Sequence, residues 1–148
     1  MKKYYYLGFV VVVIIILFFI FDSPEAKGES VTVYKSPTCG CCVKYVAELK
    51  RNGFDVNVVT TNNMKQIKDQ HNIPSNMESC HTAVFEDYFV EGHVPLDVVF
   101  SLLRERPNIT GIALPGMPSG TPGMPGPKRE PYRISQLDKN EWSNYLTI

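Results

Sequence analysis

After Lys2 and Lys3 the chain enters an uncharged run, Tyr4 to Phe21, dense in Val, Ile and Phe. Beyond it, apolar and polar positions mix in short periodic blocks. Val31-Thr32-Val33-Tyr34-Lys35 is rich in β-formers and predicts a short buried strand. Val43, Val46, Ala47 and Lys50 recur at i, i+3, i+4 and i+7, which predicts a helix from Val43 to Asn52 with Gly53 as its stop. Phe54 to Val59 alternates and predicts a second strand. Asn62 or Asn63 can cap a second helix with Met64, Ile67 and His71 on one side, ended by Ile73-Pro74. A loop from Ser75 to His81 leads into a third strand, Thr82 to Glu86. Asp87 then turns the chain into an antiparallel fourth, Tyr88 to Glu91. Gly92-His93-Val94-Pro95 opens a last helix with proline at its first position. Val98, Val99, Leu102 and Leu103 form its apolar stripe, and Pro107 ends it.

The predicted order, β-α-β-α-β-β-α, resembles the thioredoxin core, an α/β fold with a four-stranded mixed sheet flanked by helices. Four segments follow: a membrane anchor or signal over 1–21, a polar linker over 22–30, a thioredoxin-like metal-binding domain over 31–114, and an extension over 115–148. In that extension Pro115-Gly116-Met117-Pro118 and Pro122-Gly123-Met124-Pro125 repeat at a spacing of seven. So much proline and glycine excludes helix or inner strand and predicts an extended loop. Pro131 to Ile148 is polar with scattered aromatics (Tyr132, Trp142, Tyr145) and accommodates a short docked helix.

The apolar run near the N-terminus bears on the compartment. It approaches the lower limit of a membrane span, about 17–25 residues, and exceeds a signal-peptide core of about 7–15. Lysines before it and Asp22 after it orient the start towards the cytoplasm. A cut after Ala26 would put Pro24 at the −3 position, so an uncleaved anchor is favoured over a cleaved signal. The expectation is a single-pass inner-membrane protein whose soluble part faces the periplasm. The chain has 148 residues, with 15 basic and 15 acidic, and no basic stripe interleaved with aromatics, which argues against nucleic acid as a partner.

Pro37-Thr38-Cys39-Gly40-Cys41-Cys42 holds three of the four cysteines, between a predicted strand and a predicted helix. A helix N-terminus offers unpaired N–H groups and partial positive charge, which favour thiolates. Cys39 and Cys42 form a C-x-x-C pair, within disulfide reach at about 5–6 Å between Cα atoms. A redox dithiol has no need of Cys41. Three thiolates this close repel one another and keep their protons unless a cation neutralises them. The stretch therefore reads as a metal site first, with a redox dithiol and structural disulfides as alternatives.

Cys80 and His81 precede the third strand, at the place that faces the first β–α junction in a thioredoxin-like fold. Cys80 is either a ligand or a buried apolar-like cysteine, and His81 either a ligand or a hydrogen-bonded loop residue. His93, at a helix start, is a ligand, a donor behind one, or local structure. Met117 and Met124 are either soft ligands or plugs for an apolar groove. No carboxylate cluster accompanies them, which argues against Ca²⁺ or Mg²⁺. Zn²⁺ would be satisfied by Cys₃His or Cys₄. Cu(I) would accept the same thiolates, share bridging ones and use the methionines, and adjacent Cys41-Cys42 suits bridging better than one tetrahedral zinc.

Tyr34-Lys35-Ser36-Pro37-Thr38-Cys39-Gly40-Cys41-Cys42, Ser79-Cys80-His81-Thr82-Ala83, Glu91-Gly92-His93-Val94-Pro95 and the two Pro-Gly-Met blocks together resemble a known family. It is the thioredoxin-like family of small bacterial periplasmic metal-binding proteins, long known as a domain of unknown function, which includes the copper-resistance proteins called CopG. The match runs from about Val31 to Met124. Thr82, near the cis-proline position of redox thioredoxins, departs from them. The resemblance implies a periplasmic copper protein handling Cu(I), with redox interconversion of the metal as an extension. It implies Cys39, Cys41, Cys42 and Cys80 as metal thiolates, with His81, His93, Met117 and Met124 as further motif positions. Copper ions and copper-handling proteins are the implied partners. The rival expectations are a thiol–disulfide oxidoreductase using Cys39 and Cys42, and a structural zinc module that mediates interactions.

Overall fold

The computed structural model describes residues 28–148. The expected anchor over 1–21 and most of the 22–30 linker lie outside the described residues. Among those described, no helix is long and apolar enough to cross a membrane.

Ten elements follow one another among the described residues: β1 (Ser30–Lys35), α1 (Gly40–Arg51), β2 (Asp55–Thr60), α2 (Met64–Gln70), β3 (His81–Val84), β4 (Phe89–Glu91), α3 (Leu96–Glu105), β5 (Gly111–Ala113), β6 (Arg133–Asp138) and β7 (Glu141–Thr147). The first seven stand in the order read from periodicity. Local signals set their ends. Asn63 caps α2 by accepting the Gln66 N–H. Arg106 ends α3 in the left-handed conformation, one residue before Pro107. Pro95 caps α3 rather than occupying its first turn.

The sheet is larger than the expected four strands. It has seven, in the order β2-β1-β3-β4-β5-β6-β7. β1 runs parallel to β2 and antiparallel to β3, and β4 returns antiparallel to β3. β5 then adds parallel to β4, and β6 and β7 complete an antiparallel edge. The docked helix read into 131–148 is instead this β6–β7 hairpin. Its register shift between Ile134 and Ser135 places the extra residue, Tyr145, in β7, and Ile134 and Leu137 are buried on opposite faces of β6 in two separate clusters. Its turn residues, Lys139 and Asn140, both have positive φ (47° and 69°), the requirement of a two-residue hairpin turn. β5 is only three residues long, too short to show alternation, and a Cβ at Gly111 would come within 2.5 Å of Phe89.

The main core joins Tyr45, Val46 and Leu49 of α1 to Val98, Val99 and Leu102 of α3 over one side of the sheet, through Val33, Ala83, Val90 and Ile112. A smaller cluster of Ile73, Phe89 and Leu137 gathers Met77, Val84 and Trp142. Since side chains alternate along a strand, Phe89 and Glu91 share one face of β4 and Val90 takes the other.

Candidate metal centre

The chain leaves β1 at Lys35, turns through Ser36–Thr38 and enters α1 at Gly40. Cys39 is the N-cap, and its sulfur accepts the Cys42 N–H at 3.2 Å. A helix start has N–H groups with no partner inside the helix, so a sulfur acceptor satisfies one of them. Cys39 and Cys42 are joined as a disulfide, with Cα atoms 5.4 Å apart. Cys41 and Cys80 are free thiols. Cys41 Sγ stands 3.5 Å from Cys39 Sγ and 3.5 Å from Cys80 Sγ, so it links the helix cysteines to the one before β3.

Pairing of β1 with β3 brings Cys80 there. Lys35 lies opposite His81 across that ladder, so the two loops at this end of the sheet meet. The Cys42 sulfur also reaches the Cys80 carbonyl at 3.5 Å. Ligand atoms of Cys39, Cys41, Cys42 and Cys80 all lie within 4.8 Å of one another, as do those of Cys80, His81 and His93. Neither group contains a carboxylate.

His93 approaches from the β4–α3 connection, its Nε2 3.0 Å from Cys80 Sγ. Its Nδ1 lies 2.7 Å from the Pro122 carbonyl. A carbonyl can only accept, so Nδ1 carries the proton and Nε2 of the neutral ring keeps its lone pair for the Cys80 side. Burial lowers the His93 pKa, partly opposed by that hydrogen bond to Pro122, and favours the neutral ring. This is the arrangement of a metal-binding imidazole, whose other N–H is anchored by a carbonyl.

His81 is fully buried. Its Nδ1 is 3.6 Å from Cys80 Sγ, and its ring packs on those of Tyr45 and His93, with centroids 4.5 and 4.8 Å away. Among the described residues, its Nε2 has no hydrogen-bond partner. Burial, then the charges of His93 and Lys68, hold its pKa well below the usual value. Burial first, and then Cys41, push the Cys80 thiol up to about 12. Without a cation, then, the site holds a protonated thiol against neutral imidazoles.

The Pro-Gly-Met loop crosses the start of α1. Gly123, at φ +84°, sits where a Cβ would come 2.9 Å from the Cys41 carbonyl and 2.9 Å from the Tyr45 nitrogen. The loop thereby delivers the Pro122 carbonyl to His93. Met124 lines a surface depression with Lys44, Ala47, Glu48 and Arg51, along the outer side of α1. Met117 is 53% exposed. The sulfur–imidazole cluster is thus assembled from Cys39, Cys41, Cys42, Cys80, His81 and His93, whereas Met124 lies beside the outer residues of α1 and Met117 is exposed.

Sequence patterns did not reveal the Pro122 carbonyl, the Tyr45 platform or a buried Lys68–Glu91 ion pair. A lysine in a short polar helix reads as solvent-facing, and a backbone carbonyl leaves no trace in residue type.

A family model described as a protein of unknown function, DUF411, matches residues 77–124. Two solved structures of the copper resistance protein CopG match over most of the chain. Form 2 is 35% identical with a TM-score of 0.75, over 82% of this chain and 99% of that one. Form 1 is 35% identical with a TM-score of 0.74, over 82% and 98%. The chain belongs to the DUF411 family, which includes CopG. No curated protein matches the sequence. The DUF411 span begins at Met77, so the family match takes in Cys80, His81, His93 and both loop methionines, while the cysteines at 39–42 precede it.

An orphaned, fully buried nitrogen costs about 1–3 kcal/mol. His81→Leu should therefore leave the metal-free protein as stable as the parent or more so. It should also flatten the pH response. Unfolded His81 takes a proton near pH 6.5 and the folded residue does not, so the unfolded state binds more protons below that pH. Stability is then complete above about pH 6.5 and falls towards pH 5, by up to ~1.4 kcal/mol per pH unit for one histidine. Urea unfolding at several pH values checks this. An undiminished slope in His81→Leu would assign the titration to other groups.

Proposed function

We propose that the protein binds Cu(I) as cargo for copper resistance or homeostasis, from a thioredoxin-like domain tethered by residues 1–21 on the periplasmic side of the inner membrane. The observation that carries this reading is Cys41, whose sulfur sits between those of Cys39 and Cys80. A dithiol needs no third and fourth sulfur at that distance, whereas a soft cation is held by several thiolates and shared between them. The donor set fits: sulfur and imidazole without carboxylate, one imidazole preset in its tautomer and another with an unpartnered nitrogen. The copper resistance of the matched CopG structures supports copper over zinc. The pairing β2-β1-β3-β4, with the cysteines at the first β–α junction, supports the thioredoxin-like assignment. The apolar run from Tyr4 to Phe21 supports the tether.

Loading all four sulfurs requires that the Cys39–Cys42 disulfide first take up two electrons and two protons from a dithiol reductant, which is itself oxidised to a disulfide. Each bound Cu(I) then displaces thiol protons, and close sulfurs make more than one copper per chain the expected load. Exchange between Cu(I) and Cu(II) at the same site is the redox extension of this function.

The disulfide favours a second reading. Cys39–Cys42 at the N-terminus of α1 is also the arrangement of a thiol–disulfide oxidoreductase. The soluble part, reduced without oxygen, would be titrated with Cu(I) against a chromophoric chelator while free thiols are counted. More than one tightly held copper per chain, with thiols protected in parallel, supports copper handling. Failure to compete for Cu(I), with thiols cycling to two disulfides, leaves the oxidoreductase. One zinc per chain without copper preference points to a structural module.

A further inference from the structure

We propose that Glu91 is the positioning residue of the metal centre, its carboxylate holding Cys80 and His81 by hydrogen bonds to the residues on either side of them. Oε1 accepts the Ser79 N–H at 2.6 Å, and Oε2 accepts the Thr82 hydroxyl at 2.6 Å. Cys80 and His81 are the two residues between those anchors. The clamp acts through the sheet: Thr82 and Glu91 pair across β3 and β4 and face the α2 side, while His81 packs on Tyr45 on the other side.

The surroundings are built around this contact. Lys68 of α2 donates to Glu91 Oε1, with both side chains buried. The Ser79 hydroxyl donates to the Gly116 carbonyl, so Ser79 is gripped from two directions. Gly92, at φ +79°, approaches so closely that a Cβ there would lie 2.7 Å from that of Ser79. Its N–H binds the His81 carbonyl at 3.0 Å. The chain that carries His93 is thereby locked to the chain that carries Cys80.

Stability alone does not account for a charged pair here. Apolar residues of similar size often serve as well as, or better than, a buried ion pair. An apolar residue at 91 would, however, leave the Ser79 N–H and the Thr82 hydroxyl without their acceptor, and the Cys80 segment without its anchors. Losing a partner that orients a ligand typically costs about 10–100-fold in metal affinity.

The inference rests on the Cu(I) reading for its biological meaning, so the test includes a metal-free readout. The full-length chain in detergent, with Cys39–Cys42 oxidised, would be treated with diamide. Diamide accepts two electrons and two protons as Cys41 and Cys80 join, and peptide mapping gives the rate of that disulfide. Cu(I) affinity of the reduced chain is measured by chelator competition. Three variants are compared: Lys68→Met/Glu91→Gln keeps an acceptor without a buried unpaired charge, Lys68→Met/Glu91→Leu removes it, and Thr82→Val cuts one arm.

The Gln variant should stay within about threefold of the parent in both readouts. The Leu variant should form the disulfide, and hold Cu(I), about tenfold less well, with Thr82→Val between them. A folded Leu variant that matches the Gln variant in disulfide rate overturns the proposal. If the Leu variant does not fold, an unchanged rate in Thr82→Val overturns it. Separation of the disulfide rates in a chain that holds no Cu(I) would keep the positioning role and refute the copper reading.

Discussion

Cys41→Ser is expected to abolish tight multi-copper binding while leaving the protein folded. The Cys41 sulfur is 3.5 Å from both Cys39 and Cys80, so its loss removes the sulfur shared between the helix cysteines and Cys80 and leaves three sulfurs to hold the metal. A serine oxygen is a hard donor and a poor replacement for Cu(I). Removing a partner behind a ligand typically costs about 10–100-fold, and removing the ligand that bridges the set should cost at least about 100-fold. Stability should change by no more than about 0.5 kcal/mol, because Cys41 is only half-buried and the swap is nearly isosteric. Copper stoichiometry by chelator competition, beside a melting curve, checks both halves. The dithiol reading makes the opposite prediction, since Cys39 and Cys42 keep exchanging without Cys41. Undiminished copper load in this variant would remove the reason for placing Cys41 at the centre.

Glu91→Ala should produce the largest loss of stability of any single change discussed. It leaves Lys68, 4% exposed, as a buried cation without its partner. The Ser79 N–H and the Thr82 hydroxyl lose their acceptor at the same time. Burial raises the Glu91 pKa, and Lys68, Thr82 and the Ser79 N–H pull it part of the way back. Breaking a buried pair from one side costs about 3–5 kcal/mol, against a total of about 5–15 for a domain. Adding Lys68→Met should restore most of that loss, because the unpaired charge is its main source. Urea unfolding of the single and double variants measures the difference. A single variant within ~1 kcal/mol of the parent would mean that Lys68 finds water when Glu91 is gone.

Both predictions depend on residues of different legibility. Cys41 stands out in the sequence because a dithiol leaves it unexplained. Glu91 appears only as part of a motif, and Lys68 reads as an ordinary surface residue of a polar helix. Burial makes that pair consequential, and burial arises from α2 folding onto the α2-facing side of β3 and β4.

The first seven elements were legible because their signals are local. Asn63 as a cap, Gly53 and Pro107 as stops, and Val98, Val99 and Leu102 as a stripe each act within a few residues of themselves. The strands beyond α3 were not. β5 is too short for a period, β6 buries only Ile134 and Leu137 and on opposite faces, so its sequence shows no alternation, and Lys139-Asn140 is a weaker turn signal than asparagine-glycine.

The same boundary divides the site. Residue types and spacing alone set a soft donor inventory and put Cys39, Cys41 and Cys42 at a helix start. Spacing alone could not say which distant groups would join them; Cys80, His81 and His93 were expected there only through the fold and family that the sequence resembles. Cys41 meets Cys80, 39 residues away in the chain, only because β1 pairs with β3, and His93 arrives only because β4 pairs with β3. The tautomer of His93 depends on a carbonyl 29 residues further on, delivered by a loop that glycine allows against the α1 backbone. Local patterns encode local conformation, whereas convergence of side chains depends on long-range strand pairing and burial, which are properties of the whole folded chain.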